Sequence, residues 1–110
     1  MNENKNFGYL GYNFQLKLIN LIVTDNTFFQ SIIDAITAKY FDNQYFRLIM
    51  QLIKEYYEKY QTAPSFDALD QLTRIEISSE MARKNIFDML KEVKEASFED
   101  HLFIKEKALN

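Results

Sequence analysis

The sequence predicts an all-α fold, a small orthogonal bundle of about six helices. Three observations carry this reading. Only 2 glycines and 1 proline occur in 110 residues, too few for the turns an all-β chain of this length needs. Apolar residues, 47% of the chain, recur at three- and four-residue spacing. Residues that cap helices stand just ahead of most of these runs. The length suits one domain with one core, and the 15% aromatic content argues against disorder.

Residues 1–8 are polar and are expected to be frayed. The first helix is expected over residues 12–23, "YNFQLKLINLIV". Phe14, Leu18, Leu21 and Ile22 share one face while Leu16 and Ile19 take another, which predicts burial on more than one side. In "TDNTFFQSIIDAI", Thr24, Asp25 or Asn26 caps the second helix, and Phe29, Ile32, Ile33 and Ile36 face inward. A third helix, over 42–60, carries two apolar stripes. One is Phe46, Ile49, Ile53, Tyr57 and Tyr60; the other is Tyr45, Leu48, Leu52 and Tyr56. A helix of this kind belongs at the centre of a bundle.

Pro64 stops that helix, because it lacks an N–H and restricts the residue before it. Ser65 caps a short helix over 66–73, with Asp67 in its first turn to suit the helix dipole. "RIEISS", residues 74–79, reads as a connection. Ser78 or Ser79 caps the next helix, whose inner stripe is Met81 or Ala82, Ile86, Met89 or Leu90, and Val93. A final helix starts at Ser97, where Ser97 and Asp100 match the capping-box spacing.

Several function classes are set aside. Without cysteine there are no disulfides and no thiolate metal sites, which fits a reducing, cytoplasmic location. No leader pattern and no apolar run of membrane-spanning length appear, so no membrane role is expected. The net charge is −3, and neither half of the chain offers a phosphate-binding surface. Contact with DNA is therefore expected to be weak or indirect, and Arg83 and Lys84 read as a solvated helix face. Two glycines build neither a phosphate loop nor a nucleophile elbow. His101, Glu99 and Asp100 are consecutive on a helix and point apart, so they form no ligand set. Asp67 and Asp70 read as a cap and a solvated charge. Tyr45, Tyr56, Tyr57 and Tyr60 read as core or interface aromatics. No catalytic residues, metal or cofactor are assigned.

The last helix has apolar residues on several faces. Phe98, Leu102, Phe103, Ile104 and Leu109 offer more apolar surface than one docking face needs. They are the candidate protein interface, most simply that of a two-fold dimer using the same patch on both sides.

The run "YFDNQYFRLIMQLIKEYYEKYQTAPSFDALDQL" resembles the central stretch of the N-terminal domain of DnaB-like replicative DNA helicases. Phe41, Phe46, Ile49, Met50, Ile53, Tyr57, Pro64, Asp67 and Leu69 fall on that family's pattern of a long helix, a proline turn and a short helix. Ser65-Phe66 departs from the usual apolar-Asp pair and Tyr60-Gln61 from the usual Gly, and both departures look like the T-even phage branch. "FQLKLINLIV" lies where the family has its first helix, and "EDHLFIKEKALN" is similar to the start of its helical hairpin. The resemblance implies a non-catalytic collar domain over 1–96 and, over 97–110, a hairpin helix whose return lies further on. It implies ring assembly into a hexamer, contact with primase or a helicase loader, and an ATPase domain elsewhere in the parent chain. The alternatives are the helicase-binding helical domain of a primase and a free-standing helical interaction module.

Overall fold

The computed structural model describes residues 7–109. They form six α-helices: α1 (Tyr12–Thr24), α2 (Asn26–Ile32), α3 (Gln44–Tyr60), α4 (Phe66–Glu76), α5 (Glu80–Lys94) and α6 (His101–Leu109). Two 3-10 turns, Phe7–Leu10 and Ala38–Tyr40, precede α1 and α3. No strand occurs among the described residues. The bundle is an all-α globule of 36 × 27 × 26 Å.

The expected fraying of residues 1–8 does not extend to Phe7 and Gly8, which belong to the first 3-10 turn. The Phe7 ring is buried and meets Phe14, Tyr40 and Phe41 at 5.6–5.8 Å. Residues 1–6 lie outside the described residues. Gly11 then opens α1 with φ 93° and ψ 171°, a backbone state that favours glycine. Gln15, also buried, donates its amide to the Gly11 and Phe7 carbonyls and holds the turn against the helix.

The wide apolar surface of α1 is buried as expected: Phe14, Leu16, Leu18, Ile19, Leu21 and Ile22 all lie in the core. α1 touches α2, α5, α6 and the first 3-10 turn. Fully burying such side chains contributes roughly 1.5–3 kcal/mol each, so α1 is a principal anchor of the fold. α3 is less enclosed than its two stripes suggested. Phe46, Ile49, Met50, Leu52 and Ile53 are buried, but the helix then leaves the core: Tyr56 and Tyr57 are half-buried and Tyr60 is exposed. At 1.5 Å per residue α3 spans about 25 Å, nearly the width of the globule. Its tip therefore reaches the surface.

Local chemistry sets the boundaries. Of the three cap candidates for α2, Asp25 is the one used: its carboxylate accepts from the Phe28 N–H at 3.0 Å. α2 ends at Ile32, yet Ile33 and Ile36 stay in the core, and Lys54 donates to both their carbonyls, at 2.7 and 3.0 Å. Asn43 caps α3 by accepting from the Tyr45 and Phe46 N–H groups, so the helix starts at Gln44 rather than at residue 42. Gln61 ends α3 in the left-handed region at φ 60°, and buried Pro64 follows. Ser65 caps α4 by accepting from the Ala68 N–H at 3.1 Å, and Ser79 caps α5 by accepting from Ala82 at 3.2 Å.

Two expectations are corrected. "RIEISS" is not all connection: α4 continues through Arg74, Ile75 and Glu76, leaving only residues 77–79 between helices. Nothing in Arg-Ile-Glu breaks a helix, and Arg83 donates to the Ile77 and Ser78 carbonyls at 2.7 and 3.0 Å to finish the end. The final helix does not start at Ser97. Asp100 takes a left-handed φ of 64°, which helical backbone does not allow, so α6 begins at His101. Ser97 instead accepts from the Glu99 N–H in a local turn, and no capping box forms.

Candidate protein-interaction surface

α6 lies along α1 and α2. Two ion pairs fix it there. Lys17 of α1 meets Asp100 at 3.7 Å, and Lys105 meets Asp25 at 2.6 Å. Asp25 thus serves two helices, capping α2 with one oxygen and pairing with α6 through the other. The hydrogen bond from Lys105, aided by the Phe28 N–H, holds the Asp25 carboxyl below the usual carboxylate range. Elsewhere on α1, the Tyr12 hydroxyl donates to Glu92 of α5 at 3.0 Å, and Asn20 donates to the Val93 carbonyl at 2.9 Å. Partial burial and the nearby Glu92 push the Tyr12 phenol up to about 12.

Only Ile104 of the five candidate interface residues is buried; it is 2% exposed and belongs to the core. Ile104 is therefore removed from the candidate surface, because the side of α6 that carries it is the side that docks. The other four stand outward: Phe98 is 66% exposed, Leu102 71%, Phe103 50% and Leu109 51%. The Phe98 ring meets His101 edge-on at 5.8 Å, and the Lys107 ammonium lies 5.7 Å from the Phe103 ring centre. At the far end of α6 a small open pocket of about 90 Å³ is lined by Ala108 and Leu109 together with Ile32, Ile36 and Tyr40.

His101 Nδ1 also lies 3.1 Å from the Phe98 carbonyl oxygen. Among the described residues no three His, Asp or Glu side chains gather as a metal ligand set. Lys84 pairs with Asp88 one turn on, at 3.1 Å, as expected of a solvated helix face. None of the described helices is long and apolar enough to cross a membrane.

Two open grooves flank α4. One, of about 400 Å³, lies between the end of α3 and α4, where Tyr56 and Tyr60 pack at 4.6 Å beside Leu72 and Glu76. The other, of about 250 Å³, lies between α4 and α5. Sequence reading missed this second groove because it assigned Arg74 to a loop. With the helix carried through to residue 74, the spacing of Phe66, Asp70 and Arg74 puts all three on one side.

No family model matches the chain, and no curated protein or solved structure is significantly similar to it.

Proposed function

We propose that this chain is a non-catalytic helical protein-interaction domain whose contact surface is the outer side of α6. The observation that carries the proposal is the division of that helix: Ile104 is in the core while Leu102, Phe103 and Leu109, with Phe98 in the segment just before it, remain in solvent. An apolar cluster of this kind on a small domain marks an interaction site. The finer reading is the N-terminal collar domain of a DnaB-like replicative helicase, serving ring assembly and contact with primase or a loader. What supports it is the resemblance of residues 40–72. In the fold these residues are a long helix, a turn with buried Pro64, and a short helix with Leu69 buried.

Sedimentation over a concentration series tests the surface. The chain should self-associate through a two-fold contact, and Phe103→Asp should leave a monomer of unchanged thermal stability. A strict monomer at the highest concentration reached overturns the self-association reading. Sequencing the gene on both sides of this segment tests the finer one. A downstream ATPase domain with a phosphate-binding loop supports the helicase collar, and an adjoining primase polymerase domain overturns it.

A further inference from the structure

The groove between α4 and α5 is floored by Leu90 and walled by Phe66 and Phe87. Three cations stand on its rim: Arg74, Lys91 and Lys94. Most other described basic side chains already have an oxygen partner. Lys17, Lys84 and Lys105 are in ion pairs. Arg47, Lys54 and Arg83 donate to backbone carbonyls. Lys39, Lys59 and Lys107 have none, but they sit on three different segments. Arg74, Lys91 and Lys94 likewise reach no oxygen, and they converge on one groove. Against them the groove holds a single carboxylate, Asp70, so it is locally cationic in a chain of net charge −3.

The size of the groove narrows the ligand. About 250 Å³ is below the roughly 300–1,000 Å³ of small-molecule pockets. The groove takes one or two side chains and leaves the rest of the ligand outside. A nucleic-acid strand fits less well. Arg74 already covers a face of Phe87 at 4.9 Å, which blocks base stacking there. Three cations also give a strand little electrostatic affinity at physiological salt, and nothing basic extends the track. A short peptide satisfies every feature at once. An apolar side chain fills the space between Phe66 and Phe87, and flanking carboxylates meet the rim cations.

We infer that the α4–α5 groove is a docking site for an acidic peptide segment of a partner protein, anchored by one large apolar side chain. The site lies apart from the α6 surface, because α6 takes no part in lining it. A fluorescein-labelled peptide of sequence DEDLFDED serves as the probe, read by anisotropy. It should bind with an affinity that falls as salt rises. Lys91→Glu combined with Lys94→Glu should weaken it on the order of ten-fold, about 1.4 kcal/mol, and Phe87→Ala should weaken it without changing the salt slope. Lys91 and Lys94 are exposed, so the double variant should keep the circular dichroism and melting point of the parent. A dodecamer of deoxythymidylate is the competing probe. The inference is overturned if the peptide does not bind, if the double variant binds it as well as the parent, or if the oligonucleotide binds as tightly as the peptide.

Discussion

α5 and α6 are neighbours in sequence and opposites in design. α5 gathers Ile86, Met89, Leu90 and Val93 on one buried side and turns Lys84, Asp88, Lys91, Glu92 and Lys94 to solvent. α6 also has several large apolar residues, but they occupy consecutive positions, 102, 103 and 104, and so wrap around the helix. One of them docks and the rest stay outside. What decides whether a helix is finished by its own bundle is where its apolar residues lie, more than how many it has.

Truncating the two inner faces is the strongest way to break this comparison. Ile86→Ala should cost about 2–5 kcal/mol in urea unfolding, the range for a buried aliphatic side chain. Ile104→Ala should fall at the low end of that range, since Ile104 is the single buried residue of its helix and few buried neighbours on α6 depend on it. Equal costs would make α6 as integral to the core as α5.

The ion pair that seats α6 comes next. Asp25→Ala removes both the α2 cap and the partner of Lys105, and should cost about 1–2 kcal/mol. Asp25→Asn keeps a capping oxygen and loses only the pair, so it should cost less. The sign of the pH effect follows from the lowered Asp25 pKa. Its stabilisation is present above the ordinary carboxylate value and is lost as pH falls through the folded-state value. Comparing parent and Asp25→Asn melting points at pH 7 and at pH 3 checks it: the gap should shrink in acid.

The helix starts give the smallest contrast. Ser79→Ala removes a working cap from α5 and should cost about 1 kcal/mol. Ser97→Ala, in a turn that caps no helix, should stay within about 0.5 kcal/mol. A larger effect at Ser97 would mean that its turn with Glu99 helps to dock α6.

Most of the helices could be read from the sequence because their signals are local. The core faces of α1 and α5, the Pro64 stop and the Ser65 and Ser79 caps each depend on a few adjacent residues. The failures have different causes. α4 outran its expected end at Thr73 because nothing in Arg-Ile-Glu breaks a helix, and Arg83 donates to the Ile77 and Ser78 carbonyls just beyond its end. Ile104 looked like one apolar residue among several until α1 and α2 selected its side of the helix for docking. The positive φ of Asp100 has no sequence signal as strong as glycine, so the late start of α6 was hidden. For the candidate surface, the segment was legible, but the division of its residues into inside and outside was not.

The pairing of α1 with α5 and α6 also bears on the order in which the protein is made. α1 is among the most apolar segments and leaves the ribosome before α2 to α6. α2 can cover part of it at once, but α5 and α6, which close over its remaining sides, are synthesised more than fifty residues later. A nascent chain that has reached Pro64 therefore carries part of α1 without its final neighbours, including Tyr12 and Asn20, whose partners are Glu92 and the Val93 carbonyl. Exposed apolar surface of this kind makes incomplete chains prone to aggregate. Fragments ending before α5 should be recovered mainly from the insoluble fraction, since α1 is made well before the helices that enclose it.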